Sequence, residues 1–354
     1  MKSSADCGQS RPISPSPRPT ASVVVLNYNG LRYLDTCLEA LVAQQLEGGV
    51  ELLVVDNHSS DGSVDHVRRR FSQVRVIEST ANLGFAAGNN LGIEHANGQH
   101  VVLLNNDTRV RPGWLAALVH AAESQPDVGA VTSKLVFIDR PNVIQNAGTM
   151  LLSDGSGADR GMREEDRGQY ELREEVFGAC GCAMLLSREM LGDVGAFDPA
   201  FFTYYEDTDL SWRMRLRGWR VIYEPLAVVE HVHSGTSVEW SPLFTFHVDR
   251  NRLFMILKNA PVGFVLRTFT WYGWLAACGP GRALLRLKGR PGSSSQQRRL
   301  KPGARARVHV RVVASLVRHL PMMLSRRRNI RRRRVVNDAD IARWFHPRRD
   351  WDAR

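Results

Sequence analysis

The feature that most constrains this chain is a fourfold alternation of apolar strand-like runs with helical segments. Every run ends on polar residues. The runs are SVVVLN (22–27), ELLVVD (51–56), VRVIES (74–79) and HVVLLNND (100–107). Helical spacing fills 31–45, 63–71, 84–96 and 112–124, the last with Pro112 expected in its first turn. Near-continuous apolar runs suit strands buried on both faces, and short connections make them parallel. Such a sheet takes its ligands at the carboxyl ends of its strands. There lie Asn27-Tyr28-Asn29-Gly30, Asp56-Asn57-His58-Ser59, Asn82 and Asn105-Asn106-Asp107. The first strand is not followed by G-x-G-x-x-G, which argues against a nicotinamide or flavin dinucleotide enzyme.

From about Val128 to His233 the pattern reads as mixed sheet, with loops at 153–167. A helix is expected over 207–217, then two strands at 219–225 and 227–233. Residues 9–20 form a polar, Pro-rich run without the apolar core of a signal peptide, so 1–20 is expected to be disordered. Beyond Trp240 the composition changes. Residues 241–354 hold 26 Lys and Arg against 5 Asp and Glu, a net +21; the whole chain is +11, so the first 240 residues are net −10. The expected organisation is a disordered 1–20, an α/β domain over 21–240 and a basic, partly amphipathic helical extension over 241–354. The apolar stretch 253–278 is broken by Lys258, Pro261 and Arg267 and is no clear membrane span. Five scattered cysteines imply no disulfide framework and a reducing compartment.

Three clusters carry chemistry. Asn105-Asn106-Asp107 delivers a carboxylate at a strand end, where it can bind a hard divalent cation; an ordinary turn explains it equally well alone. Glu206, Asp207 and Asp209 begin a helix, as capping acids do, but they adjoin the aromatic run Phe201-Phe202 and Tyr204-Tyr205. An acid in an aromatic cleft wall suits a general base. His231 and His233, two apart on a strand, share a face; without context a structural role leads for either.

The order of these pieces resembles the inverting family 2 glycosyltransferases of the GT-A fold, and within them the bacterial rhamnosyltransferase-like members. The matching segments are SVVVLNYNG (22–30), VVDNHSSDGS (54–63), ANLGFAAGNN (81–90), LLNNDTRV (103–110), FGACGCAMLLSRE (177–189), FDPAFFTYYEDTDLSWRMRLRGWR (197–220) and EHVHSGTS (230–237). The resemblance implies a mostly parallel central sheet flanked by helices. It implies that Asn27, Tyr28, Asn29, Asp56 and Asn57 bind base and ribose, and that Asn82, Gly84, Asn89 and Asn106 line the nucleotide and sugar pocket. Asp107 would be the metal carboxylate, for Mg2+ or Mn2+, with His231 favoured over His233 to complete the shell. Asp207 would be the general base, with Gly181, Cys182 and Glu206 on the acceptor side. The implied reaction is a single displacement that moves a hexose from a nucleotide diphosphate, dTDP-rhamnose first and a UDP-sugar next, to a glycan or lipid-linked glycan.

The basic extension mixes apolar and cationic residues, as in 308–324, which suits helices lying on an anionic membrane. The expected location is therefore cytoplasmic, peripheral at the inner face of the plasma membrane. Two other readings compete: a sugar-nucleotide-binding protein without turnover, because the first acid of a D-x-D is Asn105, and a nucleic-acid binder through the Arg-rich tail. The second lacks any recognisable nucleic-acid signature.

Overall fold

A computed structural model describes residues 18–232, 241–286 and 300–348. β1 (Ala21–Asn27), β2 (Val50–Asp56), β3 (Arg75–Glu78) and β4 (His100–Asn105) alternate with α1 (Leu31–Val42), α2 (Ser63–Arg70) and α3 (Gly84–His95). The strands pair in parallel in the order β3-β2-β1-β4. Register sets Asn27 beside Asp56 and Asp56 beside Glu78, so the polar strand ends share one edge. β5 (Thr108–Val110) follows, then α4 (Trp114–Ala122). Pro112 is not in that helix: Gly113, at φ +79°, caps it in a left-handed conformation that starts the helix at Trp114.

The middle of the chain supplies β6 (Val128–Phe137), β7 (Arg140–Asn146), β8 (Thr149–Leu152), β9 (Gly157–Asp159), β10 (Glu174–Glu175) and β11 (Ala183–Ser187). After α5 (Arg188–Val194) and a short turn at Pro199–Phe201 come α6 (Glu206–Leu216) and β12 (Arg220–His231). The main sheet runs β10-β12-β6-β11-β4-β1-β2-β3, with β5 on β12 and β7 on β6. β6 and β12 run with the first four strands, and β11 runs against its neighbours β4 and β6. The architecture is thus the expected α/β one, a mostly parallel sheet flanked by helices.

Two local expectations need correcting. The stretch 153–167 is not all loop, because β9 pairs with β8 there. The two strands expected at 219–225 and 227–233 are one. Pro225 lacks an N–H, and a register shift between Glu224 and Val228 absorbs it without ending the strand.

The basic extension folds back onto this body as α7 (Pro242–Asn259), α8 (Val262–Arg286), α9 (Pro302–Arg333), α10 (Asp338–Ala342) and β13 (Phe345–His346). β13 pairs with β8, completing a second, three-stranded sheet. One hydrophobic cluster joins Phe177, Phe201 and Trp212 to Phe254, Ile256, Met323 and Ile341, so a shared core bridges the expected boundary at 240. The front of the 253–278 stretch is therefore apolar because it is buried against the chain itself, from Leu253 to Leu257. In the Arg-rich run 326–334, Arg326, Arg327 and Arg331 are half-buried while Arg328, Arg332, Arg333 and Arg334 are exposed. Arg326 pairs with Asp198, Arg331 and Arg334 with Asp338, and Arg327 donates to the Leu257 and Ala260 carbonyls. Of the expected disordered segment, residues 1–17 lie outside the described ones, and Thr20 donates its N–H to the Gly49 carbonyl.

Candidate functional site

The strand ends are tied together before any ligand is considered. Asn27, fully buried, donates to Asp56 Oδ1 (3.1 Å) and Ser59 Oγ (3.2 Å) and accepts from Asn106 Nδ2 (2.7 Å). Asp56 also accepts from Ser59 N–H, and Asn29 accepts from Ser60 N–H. Asn57 accepts from Leu83 N–H and donates to Asn82 and to the Gly84 carbonyl. A Cβ at Gly30 would fall 1.9 Å from Asn106 Nδ2 and 2.6 Å from Asn27 Oδ1, so only glycine permits this net. Asn27 and Asp56 are spent on holding the edge in shape. Asn89 is also buried, donating to the Phe85 carbonyl within its own helix.

A cleft of about 510 Å³ opens along this edge. Six residues given a donor or metal role from the sequence line it, Tyr28, Asn57, Asn82, Gly84, Asn106 and Asp107, together with Asn105. Asn27, Asn29, Asp56 and Asn89 do not. The opposite wall is Phe202, Thr203 and Tyr204, joined by Ser241, Leu243, Phe244 and His247 from the extension. Those last four were not foreseen. Their signal was an aromatic and a histidine three apart, Phe244 and His247, one helical turn ahead of the polar triplet Arg250-Asn251-Arg252.

Asp107 and His231 meet at the end of this cleft. β5 pairs with the last turnless stretch of β12, setting His231 opposite Thr108. His231 Nε2 lies 3.2 Å from Asp107 Oδ1, yet that buried oxygen makes no hydrogen bond among the described residues. His231 Nδ1 is 2.8 Å from Gln145 Oε1 and donates to it in the neutral ring. That bond leaves the Nε2 lone pair facing Asp107, which is how a second partner orients a metal-ligating histidine. An orphaned carboxylate oxygen beside an imidazole lone pair fits a divalent cation. No group of three or more His, Cys, Asp or Glu is poised to hold a metal among the described residues, so phosphate oxygens would have to complete the shell. His233 lies outside the described residues.

Asp207 stands at the first turn of α6. It accepts from Gly181 N–H (3.0 Å) and from Thr208 N–H (2.6 Å) and Oγ1 (3.1 Å). Burial raises its pKa above the usual carboxylate range, although these donors oppose the shift. The loop that holds it also touches the metal side, because Asn105 N–H donates to the Cys182 carbonyl. Gly181 packs closely against Phe85, which lines the cleft: a Cβ there would sit 3.2 Å from that ring and 3.4 Å from Asp207 Oδ2. Cys182 points elsewhere, into the core, and burial raises its thiol well above the ordinary range. Glu206 is buried too. Its Oε2 has no partner among the described residues, and burial and then Asp207 raise it well above the usual range.

The wall that carries Phe202 is strained. Phe202, Tyr204 and Tyr205 all have positive φ, between 66° and 71°, which large side chains rarely adopt. α7 holds them there. The buried Asn251 amide reaches the carbonyls of Phe201, Thr203 and Tyr204, and Arg250 donates to those of Ala200 and Phe201. From the other side Ala86 N–H donates to the Phe202 carbonyl, and Gly84, at φ +75°, lets the Phe202 ring press against α3.

The chain is similar to known proteins in sequence and in fold. The family model for glycosyl transferase family 2 matches residues 22–195. An uncharacterised protein of Sinorhizobium fredii is 27% identical over 232 residues, 62% of this chain but only 25% of that protein's own length. The N-acetylglucosaminyl-diphospho-decaprenol L-rhamnosyltransferase of Mycobacterium tuberculosis is 28% identical over 274 residues, 70% of this chain and 87% of the relative. The crystal structure of GalNAc-T7 with UDP, GalNAc and Mn2+ superimposes with a TM-score of 0.58 at 14% identity, over 85% of this chain and 57% of that one, a likeness of fold. Residues 22–195 are a glycosyl transferase family 2 domain, and the chain carries it on the GT-A fold.

Proposed function

We propose that this protein is an inverting glycosyltransferase that moves a sugar from a nucleotide diphosphate to a hydroxyl acceptor, with Asp207 as general base. One observation carries the reading. The loop 181–182 links two acids of different character: Asp107, orphaned beside His231, and Asp207, whose proton affinity is raised. A carboxylate of raised pKa takes a proton from a hydroxyl more readily than an ordinary one. Gly181 and Thr208 hold its oxygens in a fixed direction, and Phe85 and Phe202 keep that side of the cleft apolar. Asp107 and His231 would hold a divalent cation, Mg2+ or Mn2+, whose charge offsets that of a departing diphosphate. No enzyme nucleophile is required, so attack from the opposite face inverts the anomeric centre.

dTDP-rhamnose is the first donor to test and UDP-sugars the next. A glycan or lipid-linked glycan is the acceptor class, a reading supported by the rhamnosyltransferase relative. Thermal unfolding with nucleotide sugars, with and without Mn2+, is the direct check. A donor at a hundred times its Kd should add about 2.7 kcal/mol. The shift should require the metal and vanish in Asp107→Asn. No stabilisation by any nucleotide sugar would sink the reading.

Peripheral membrane attachment belongs to the same proposal. Among the described residues no helix is long and apolar enough to cross a membrane. α8 exposes Val262, Leu266, Trp271 and Trp274, and α9 exposes Val310, Val313, Val317, Leu320 and Leu324 at helical spacing. Exposed Arg267, Arg307, Arg311 and Arg318 accompany them. Apolar stripes with cationic flanks suit an anionic lipid surface. The full chain should float with phosphatidylglycerol vesicles at low salt and less so at 0.5 M salt on the order of Debye screening. Protein that stays at the bottom of the gradient at low salt overturns this part. Arg326, Arg327 and Arg331 are committed to partners within the chain, which weakens a nucleic-acid reading through the Arg-rich run.

A further inference from the structure

His247 lines the cleft from α7, in the extension that the sequence set apart from the catalytic domain. Its ring is fixed on three sides. It stacks on Phe202 at 5.5 Å between centroids, meets the Phe246 edge at 5.3 Å, and Nδ1 accepts from Arg250 Nη2 at 3.3 Å. Arg250 is itself buried and tied to the Ala200 and Phe201 carbonyls. With Nδ1 used as an acceptor, the hydrogen of the neutral ring sits on Nε2. That nitrogen has no protein partner among the described residues. Burial, then Arg250 and Arg311, push the imidazole pKa down to about 4, so at neutral pH the ring is an uncharged N–H donor.

The cleft needs such a donor. None of the described residues lining it is Lys or Arg, and Asp107 brings a carboxyl group. Residues 233–240, outside the described structure, contain neither Lys nor Arg. A diphosphate brought here would find one metal site and a few neutral donors. Of these, His247 is an N–H whose other ring nitrogen is already anchored by a buried cation.

We propose that His247 is a donor-site residue whose Nε2–H hydrogen-bonds the diphosphate of the nucleotide sugar, the group that leaves in the transfer. The inference rests on the glycosyltransferase reading above. It makes α7 part of the active site: the same turn that clamps the strained 201–205 wall sets this ring in the lining of the cleft, stacked on Phe202.

The test is titration calorimetry of the full chain with Mn2+, using UDP and dTDP against UMP and dTMP. His247→Phe keeps the stack and removes the donor. His247→Asn keeps an acceptor near Arg250 but has nothing at the Nε2 position. His247→Gln restores an amide N–H there. A hydrogen bond to a charged group predicts that the first two variants lose about tenfold or more in diphosphate affinity. Monophosphate affinity should stay within about twofold, which also shows the fold intact, and His247→Gln should recover most of the loss. Equal losses for mono- and diphosphates, or no loss in either variant, overturn the inference alone. Wild-type protein that binds none of the four nucleotides overturns the glycosyltransferase reading, and this inference with it.

Discussion

Asp207→Asn should lower transferase turnover about a thousandfold, within the 10²–10⁴ range that a positioned general base supplies. Nucleotide diphosphate affinity should stay within about twofold, because Asp207 does not line the donor cleft. The variant should also be more stable than the parent at neutral pH. Burial raises the folded-state pKa of Asp207 above its unfolded value. Between those two values the native state binds more protons than the unfolded chain, so stability falls as pH rises. Above the folded value the cost of the buried charge is fully present, and asparagine removes it. Glu206 carries the same sign. Loss of activity with a gain in melting temperature separates a catalytic acid from a structural one, which would lose both. In the parent, turnover should rise with pH through the raised pKa of Asp207. A variant that keeps wild-type turnover removes Asp207 from the base role. A parent that binds donors but turns none over would favour the binding-protein alternative.

Why was the donor edge legible and the far wall not? The polar strand ends follow from local rules: apolar parallel strands must stop, and residues at their carboxyl ends face the crevice. Tyr28, Asn57, Asn82, Asn106 and Asp107 reach the cleft for that reason. Sequence position alone did not separate contact from support. Asn27 and Asp56 occupy equivalent strand ends but use their side chains on one another and on Ser59, a partnership that depends on register. The burial of Cys182 depends on tertiary packing in the same way. Its side chain joins the same core cluster as Ala183 and Leu185, while Gly181 donates its N–H to Asp207. The wall from α7 was hidden by composition. A basic, apolar extension reads as a membrane tether, and only tertiary contact reveals that Phe244 and His247 face the donor cleft. The strained turn at 202–205 was equally invisible, since nothing in FFTYYED announces three left-handed residues.

Lys258→Met tests how far the extension belongs to the catalytic body. Lys258 is almost fully buried, with Nζ 2.6 Å from Asp198 Oδ2 and 2.9 Å from Asp209 Oδ2. Arg213 and Asn259 complete the shell of Asp209, and Arg326 reaches Asp198. Burial alone would raise the pKa of Asp209, but Lys258 and Arg213 overcome it and hold the carboxyl below its usual value. Removing the lysine leaves two carboxylates facing a methionine in the protein interior. Breaking a buried pair by deleting one partner costs about 3–5 kcal/mol. For a chain of this length that is a fall in melting temperature on the order of 5 °C. The sign of the pH dependence follows. A depressed carboxyl contributes stability that is present above its unfolded pKa and lost as pH falls through the folded value. The deficit of the variant should therefore be largest near neutral pH and shrink in acid, where protonation of Asp209 relieves the unpaired charge. Denaturant unfolding at several pH values reads both effects. A variant that melts with the parent would mean that α7 rests on the domain without supporting it. The expected deficit would instead make α7 part of the same cooperative unit as α6, the helix on which Asp207 sits. Chain cut after residue 240 would then lose Lys258, Asn259 and Arg326 together, and with them the frame that holds the base.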